Sequence, residues 1–375
     1  MMRLAVVQQL PLEYYPPVTN LLAFLGESGD FEVRVFSVAN TRGRPAWTRK
    51  GVGITTLPSP LPGDSALKRL FLQLRFVGST WAGLLRFRPE AILYFEPHSA
   101  LPVFCHHLSL FRRTRIFVHH HEYYEPQEFD RPGMRLPKLA HWCERTLLFA
   151  DAEWISQTNE QRRELFLEDH PAIDPGKVRV MPNYPPRSWE ATENRAWKAG
   201  ATPLRLVYVG SLSREDTYIE PLVEWVNTTE HPVTLDIFGY NVSDSTRAWL
   251  ESRAGDRVAF DPQGILYEDL PERLADYHAG VILYRGNTTN FVWNAPNKLF
   301  EYLACGLDAL YPPVMQGIAP YGDASTAPRI LEVDFDRLDA IPFERLAQRG
   351  NIPHRGETHL AEAVQAALAE ALLAI

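Results

Sequence analysis

Short apolar runs and longer amphipathic stretches take turns along this 375-residue chain. Arg3–Gln8 (RLAVVQ) is an apolar run of strand length that stops at Gln8, and Phe31–Ser37 (FEVRVFS) is a second. Between them Val18–Leu25 predicts a helix. Ala66–Phe87 predicts a long helix with Leu70, Leu72, Leu74, Phe76 and Val77 on or near one face. Ala91–Phe95 (AILYF) is strand-like, a helix follows near Ala100–Leu110, and Arg115–His119 (RIFVH) is again a strand. Leu136–Phe149 predicts a helix, Glu153–Ser156 a short strand, Glu160–Leu167 a helix, and Val178–Met181 (VRVM) closes the series. Parallel neighbours need long crossover connections, and helices supply them, so the alternation predicts a parallel α/β sheet.

The segment Asn183–Gly200 (NYPPRSWEATENRAWKAG) is polar, proline-bearing and without apolar period, which reads as a linker. A second series then starts. It runs through strand Leu204–Val209, helix Ile219–Val226, strand Val233–Phe238 (VTLDIF), helix Ser243–Ser252 and strand Arg257–Phe260, then helix Leu270–Tyr277, strand Gly280–Tyr284 and helix Lys298–Leu303. An alanine-rich helix, His359–Leu373, ends the chain. The expected organisation is a first domain over 1–186, a linker over 187–203, a second domain over 204–357 and a terminal helix over 358–375. Parallel sheets bind ligands outside the carboxyl ends of their strands. That directs attention to the loops after Gln8, Phe95, His119, Val209, Phe238, Phe260 and Tyr284.

Composition changes this picture little. A hydrophobic fraction of 45% with 22% charged residues is that of an ordinary globular chain and excludes disorder. Cys105, Cys143 and Cys305 are too few and too scattered for a disulfide framework or a cysteine zinc site, which favours a reducing compartment. No apolar run approaches the roughly 20 residues that span a bilayer, and the amino-terminal run reads as a strand entering a loop, so the expected location is the cytoplasm. Charge is uneven: residues 1–186 carry a net +3 and the remainder −11. The halves meet different partners, or surface composition drifts; an acidic chain without a basic domain does not suggest nucleic acid.

Chemistry concentrates in a few places. In Asn294–Gly306 (NAPNKLFEYLACG) Pro296 suits a helix start, and Lys298 and Glu301 lie three apart on its first turn. Free N–H groups there attract anions, Lys298 adds a point charge for a phosphate, and Glu301 can accept two hydrogen bonds from a vicinal diol such as a ribose. An ordinary surface helix with an (i, i+3) ion pair fits the spacing equally well. Phe117–Tyr124 (FVHHHEYY) follows a strand, so His119 and His121 share a face. His121 could hydrogen-bond a transferred sugar or act on an acceptor; the pair could also bind zinc or merely cap the strand. Glu96, in Glu96-Pro97-His98, is an acceptor contact, a general base or an exposed loop residue. Cys105–His107 reads as packing. Ala66–Arg88 and Leu110–Arg115 mix apolar residues with Lys68, Arg69, Arg75, Arg86, Arg88, Arg112, Arg113 and Arg115, a composition that can lie on anionic lipid or simply solvate one helix face.

Pro296–Gly306 (PNKLFEYLACG) resembles the donor-binding helix of GT-B fold glycosyltransferases, in particular those similar to family 4, and Val207–Ser213 (VYVGSLS) resembles the strand and glycine turn that open their donor domain. The resemblance implies a GT-B architecture: two Rossmann-like domains with parallel sheets facing across a cleft, acceptor domain first, the last helix returning to the first domain. It implies transfer of a sugar from a UDP- or GDP-sugar to a carbohydrate or lipid-linked acceptor, in cell-surface polysaccharide or glycolipid synthesis, without a metal or other cofactor. An anionic inner-membrane face is the further partner it suggests. By the same resemblance Glu301 holds the nucleotide ribose, Asn297 and Lys298 lie near the diphosphate, Gly210 and Ser211 form the turn that approaches the phosphates, Tyr240 sits at a second turn, and Gly264 precedes the base-contacting backbone. HHHEYY is similar to a D-x-H-E segment, with His119 in place of Asp, then His121 and Glu122. Departures are clear. Trp293 stands where the first of two glutamates is usual, Ser211 and Thr217 occupy the places of a basic pair that Arg214 could replace, and LPLEYYPP stands for a glycine pair. A catalytically silent nucleotide-sugar-binding protein, or an epimerase or hydrolase on the same fold, therefore stays open beside the transferase.

Overall fold

The computed structural model describes residues 1–41, 43–61, 63–109, 114–131, 134–190, 194–200, 202–356 and 359–374. The chain folds as two units. The first is Met1–Asn183 together with the chain from Ala361 onward, and the second is Tyr184–Leu360.

The first unit is built on seven parallel strands: β1 (Met2–Gln8), β2 (Phe31–Val38), β3 (Val52–Leu57), β4 (Ala91–Phe95), β5 (Arg115–His119), β6 (Ala152–Gln157) and β7 (Val178–Val180). Their order is β3-β2-β1-β4-β5-β6-β7. The chain reverses its direction of travel between β1 and β4, and a crevice opens at such a switch point. Gln8 ends β1, and its register partner Phe95 ends β4, one residue before Glu96. On one face α1 (Pro16–Ser28) packs Val18, Leu21 and Leu22 against Leu4, Val6 and Val33, and Leu368 and Leu372 of the C-terminal helix Ala361–Leu373 join the same core. Arg115 donates to the carbonyls of Ala371 and Leu372 at 2.7 and 2.6 Å, fastening that helix, and pairs with Glu153. That occupation removes Arg115 from any lipid-facing role; residues 110–113, Arg112 and Arg113 among them, lie outside the described residues.

The other face is covered by α2 (Ala66–Phe87), α3 (Ala100–Leu108) and α4 (Arg135–Cys143), through Phe76, Leu84, Ala100, Val103 and Ala140. The Ser65 side chain accepts from Lys68 N at the start of α2, as an N-cap does, and Arg88 in the left-handed region ends it before Pro89. The expected single apolar face of α2 divides in two. Leu72 and Phe76 are buried, but Leu70 and Leu74 point to solvent. The predicted helix Leu136–Phe149 is also not continuous: α4 passes into a wider turn over Glu144–Leu148. There the buried Glu144 accepts from both His120 and His141, each at 3.2 Å. α5 (Glu160–Asp169) follows β6, capped by the Asn159 side chain.

The second unit has six parallel strands: β8 (Leu204–Gly210), β9 (Val233–Gly239), β10 (Val258–Asp261), β11 (Ala279–Val281), β12 (Asp308–Tyr311) and β13 (Ile330–Glu332). Their order is β10-β9-β8-β11-β12-β13, so the switch point lies between β8 and β11. Helices α6 (Ile219–Thr228), α7 (Asp244–Arg253) and α8 (Asn297–Ala304) connect them. The expected linker is a correction. From Tyr184 its described residues belong to this unit, Trp189 is buried in its core, and Asn194 Nδ2 donates to Tyr277 O at 3.0 Å. Its lack of apolar period reflects irregular packing, not exposure.

α8 is seated by one close contact. A Cβ on Gly280, in β11, would meet the Tyr302 ring at 2.2–2.3 Å, and the Tyr302 hydroxyl accepts from Val209 N at 3.3 Å. Gly280→Ala is therefore expected to cost about 1–3 kcal/mol by overpacking, read as a fall in Tm by thermal denaturation. An unchanged Tm would show that Tyr302 yields freely.

Candidate functional site

Each unit gathers polar side chains at the carboxyl end of its sheet. In the first, Glu96 follows β4 with φ 61 and ψ 153, a region that is essentially reserved for glycine and marks a conformation imposed by its surroundings. Its carboxyl is buried. Oε1 accepts from His121 N at 2.7 Å, and Oε2 has no protein partner. Burial, only partly offset by the neighbouring His120, pushes its pKa up to about 8. This favours the neutral, hydrogen-bond-donating acid at neutral pH, and the burial overturns the exposed-loop reading of Glu96.

His121 is fixed by a chain of hydrogen bonds. The Ser156 hydroxyl donates to Val118 O (3.2 Å), so His119 Nδ1 must donate to Ser156 Oγ (2.8 Å). His119 Nε2 then accepts, and His121 Nδ1, 3.1 Å away, carries the proton; Asn183 Oδ1, also at 3.1 Å, shares it. The His121 ring stacks on Phe95 at 5.3 Å with planes 4° apart. What remains is Nε2, a buried lone pair without a protein partner. Burial lowers the His121 pKa to about 4 against the raising effect of the Asn183 bond, so the base form persists at neutral pH. Gln8 at the end of β1, with both amide atoms unpartnered and fully buried, belongs to the same strand ends. The imidazoles of His119 and His121 thus hydrogen-bond each other, and among the described residues no three His, Cys, Asp or Glu side chains converge to hold a metal ion. Glu122 is half exposed and reaches Arg162 at 3.5 Å; the buried Arg162 also donates to His121 O at 2.6 Å. A cavity of about 250 Å³ lies nearer β2 and β3, lined by Glu13, Asn40, Arg44, Trp47 and Thr56 among others. Glu13 holds Trp47 N through one oxygen, and its other oxygen has no partner.

In the second unit Lys298 lies across the end of β8. A Cβ on Gly210 (φ 132) would fall 2.7 Å from Lys298 Cε and 2.9 Å from Nζ. Only glycine lets the lysine cross there. Nζ donates to the hydroxyls of Tyr208 (3.0 Å) and Tyr284 (3.4 Å) and sits over both rings. Burial opposes its charge, but the surrounding tyrosine oxygens, Tyr208 foremost, outweigh burial and hold its pKa above the ordinary lysine value. Among the described residues no carboxylate comes within ion-pair distance of it. Glu301, one turn on, does not pair with Lys298 as a surface helix would have it. Burial, partly offset by Lys298, raises its pKa to about 7. No side chain caps the start of α8, where Asn297 is the first residue.

The remaining expected residues divide. Ser211 O accepts from Tyr208 OH at 2.6 Å, Tyr240 N donates to Gly210 O at 3.2 Å, and a Cβ on Gly264 (φ 71) would lie 3.6 Å from the Tyr240 Cβ, so these adjoin the Lys298 cluster. Arg214 does not. Its guanidinium is engaged by Glu220 at 2.5–2.6 Å and stacked on Trp249. Sequence reasoning missed Tyr208, Tyr284 and Tyr302 around the lysine, and Gln8, Ser156 and Asn183 around the histidine. Only Gln8, a polar residue ending an apolar run, carried a visible signal.

The chain is similar to one family model and to several solved structures. Residues 17–184 match the family model described as Glycosyl transferase 4-like domain. Sucrose-phosphate synthase from Thermosynechococcus elongatus superposes with a TM-score of 0.70 at 15% identity, covering 99% of this chain and 98% of its own. The Anabaena protein HepE in complex with UDP and glucose gives 0.67 at 11%, covering 99% of both chains. The lipopolysaccharide outer core galactosyltransferase WaaB gives 0.65 at 13%, again covering 99% of both. No curated protein matches the sequence. The fold is GT-B, and its first unit is similar to glycosyltransferase family 4.

Proposed function

We propose that this GT-B chain, with its glycosyl transferase 4-like domain over residues 17–184, moves a hexosyl group from a nucleoside-diphosphate sugar to a carbohydrate or lipid-linked glycan. The observation that carries this is Lys298: a largely buried ammonium held by hydroxyls and aromatic faces, with no carboxylate within ion-pair distance among the described residues. A cation taken out of water needs an anion, and a diphosphate supplies one. Backbone at Gly210 and the uncapped start of α8 add N–H groups beside it. Glu301 would bind the ribose diol, and hydrogen bonds to its charged form would draw its raised pKa back down. Neighbours solved with UDP and glucose or with UDP-glucose make a UDP-sugar the first donor to try.

In the reaction the bond from the anomeric carbon to the β-phosphate oxygen breaks, and that oxygen leaves with the nucleotide. The Lys298 charge favours the breaking bond because negative charge grows there. The acceptor hydroxyl oxygen bonds the anomeric carbon, and its proton passes to the departing β-phosphate oxygen or to solvent. His121 Nε2 is positioned to accept a hydrogen bond from a sugar hydroxyl, and Glu96 to donate one. The cavity beside Trp47 falls just below the roughly 300 Å³ at which ligand pockets commonly begin, the scale of one sugar ring of the acceptor. We place this activity in the cytoplasm.

The test is incubation with UDP-, GDP- and dTDP-sugars, with nucleotide release measured with and without glycan acceptors. Release that an acceptor accelerates supports transfer. Release at the same rate without acceptor means hydrolysis, interconversion of the sugar means an epimerase, and binding without turnover means a silent protein; each of these three outcomes rejects the proposal.

A further inference from the structure

The segment Leu10–Pro17 (LPLEYYPP) stands where the resembled family has a glycine pair, and the donor chemistry above makes no use of it. The fold gives it a task. Leu12–Tyr14 makes one tight helical turn after β1, and Pro16 opens α1 directly behind it. The turn buries Leu12 in the core of the first unit and sets Glu13 into the wall of the cavity of about 250 Å³ near β2 and β3. Glu13 then holds the opposite wall in place. Its Oε1 accepts from Trp47 N at 3.1 Å, and its carbonyl accepts from the Arg44 guanidinium at 3.2 Å. That guanidinium lies over the Tyr14 ring at 5.0 Å, and Asn40 Nδ2 donates to Arg44 O at 2.6 Å.

The lining has two characters. Trp47, Val38, Ala46 and Ile54 supply apolar surface, and Glu13, Asn40, Arg44 and Thr56 supply donors and acceptors. One carboxylate and one guanidinium cancel in charge, so the cavity suits a neutral ligand. Glu13 Oε2 is buried without a partner among the described residues, a costly state that a ligand hydroxyl would relieve. A ring with an apolar C–H face for the indole and hydroxyls around its rim meets all of these demands, and a pyranose is such a ring. An anionic ligand would set its charge beside Glu13.

The position of the cavity is equally informative. Ser37 of β2, which lines it, pairs in register with Gln8 of β1 on one side and Thr56 of β3 on the other. In the order β3-β2-β1-β4-β5, β2 stands two strands from β4, which Glu96 follows, and three from β5, which leads into His121. At the usual strand spacing that is about 10–14 Å, more than one pyranose ring covers. The same segment runs between the two places: Glu13 walls the cavity, and the Tyr15 ring lies 6.5 Å from the His121 ring.

We propose that this cavity is a subsite for a neutral hexopyranose of the acceptor, the second or third sugar counted from the one that reacts beside His121, so that the acceptor is an oligosaccharide. This rests on the transferase reading above.

The experiment is calorimetric binding to the full chain of the methyl glycosides of glucose, galactose, mannose and N-acetylglucosamine, each against the di- and trisaccharides of the same sugar. In at least one series the trisaccharide is expected to bind about tenfold or more tighter than the monosaccharide, the worth of one well-made hydrogen bond. Trp47→Ala and, separately, Glu13→Gln should lose most of that gain. Trp47→Phe keeps an aromatic face and should retain it within about threefold. Glutamine at position 13 keeps an oxygen for Trp47 N, so the Tm of that variant should match the parent's. The subsite is overturned if no series shows the gain, or if Trp47→Ala and Glu13→Gln both keep it. Nucleotide release from UDP-, GDP- and dTDP-sugars, measured with the same saccharides, separates the two readings. Release accelerated equally by mono- and trisaccharides keeps the transferase and removes the subsite. Release that no saccharide accelerates, in a protein whose trisaccharide gain is intact and depends on Trp47, rejects the transferase and leaves a glycan-binding cavity.

Discussion

Replacing Lys298 by alanine is expected to lower kcat/KM for the donor sugar by about 10²–10³-fold, the usual cost of removing one group that stabilises charge in the transition state. Stability of the free protein should hold or fall slightly. In the apo state two tyrosine hydroxyls and two ring faces outweigh burial and keep the ammonium charged. A cation whose pKa rises on folding contributes to stability, and truncating it loses that contribution. Nucleotide-induced stabilisation should fall much further. UDP or GDP at a hundred times Kd stabilises a protein by about 2.7 kcal/mol, and the variant should lose most of that shift at the same concentration. Thermal denaturation of both proteins, with and without nucleotide, reads the pair of effects. A lysine with a purely structural task would lower the apo Tm and leave the ligand shift intact. Gly210 shares the prediction's logic, because any side chain there would displace Lys298 Cε from its path over β8.

How much of this was legible in the sequence follows from how local each feature is. β4 and β5 have the bounds their apolar runs suggest, because strands buried on both faces read as unbroken apolar segments. β3 was not anticipated. It is an edge strand, VGITTL, only half buried and carrying glycine and threonine, so neither a run nor a clean alternation stands out. β12 and β13 are three to four residues long and escape for want of length. The limits of α2 could be read from Ser65 and Pro89, yet its faces could not. Leu70, Leu72, Leu74 and Phe76 read as one face, and the structure divides them into a buried stripe and one facing out. At the site, Gly210, Lys298 and Glu301 carry their chemistry in short segments, and they are the residues the sequence pointed to. The tyrosines that hold Lys298 come from 14 and 90 positions away. The tautomer of His121 is set through Ser156 and Asn183, the latter 62 positions distant. Such partners have no pattern along the chain. The partner of Arg214 is equally hidden: proximity to Gly210 suggested phosphate, and the fold sets Glu220, on the first turn of α6, against its guanidinium.

Glu96→Gln is expected to stabilise the protein at alkaline pH and to remove an alkaline limb from its activity. The folded-state pKa of Glu96 lies near 8, against an ordinary value of 4.5. Between these values the unfolded chain releases the proton and the folded chain keeps it. The unfolded state then binds fewer protons, so stability falls as pH rises through the window and levels off above about 8. At 1.36 kcal/mol per pH unit the loss reaches an upper limit of about 5 kcal/mol. Glutamine cannot ionise, yet it keeps an oxygen for His121 N and places an N–H where the neutral acid has its O–H. Wild type and variant should therefore be similarly stable near pH 5, with the variant ahead by pH 9, as urea midpoints would record. His121 works in the opposite window and is common to both proteins. Its pKa falls from 6.5 to about 4, so protonation of the unfolded state erodes stability as pH drops through that range. Activity separates the roles of Glu96. As a donor, its glutamine replacement should retain transfer within about tenfold at pH 7 and show no fall near pH 8, whereas a general base would lose about 10²–10⁴-fold. A variant no more stable than wild type at pH 9 would mean that the carboxyl is not held neutral in the fold. In that case the strained backbone at φ 61 would have to be explained by something other than a buried acid facing the ends of β1, β4 and β5.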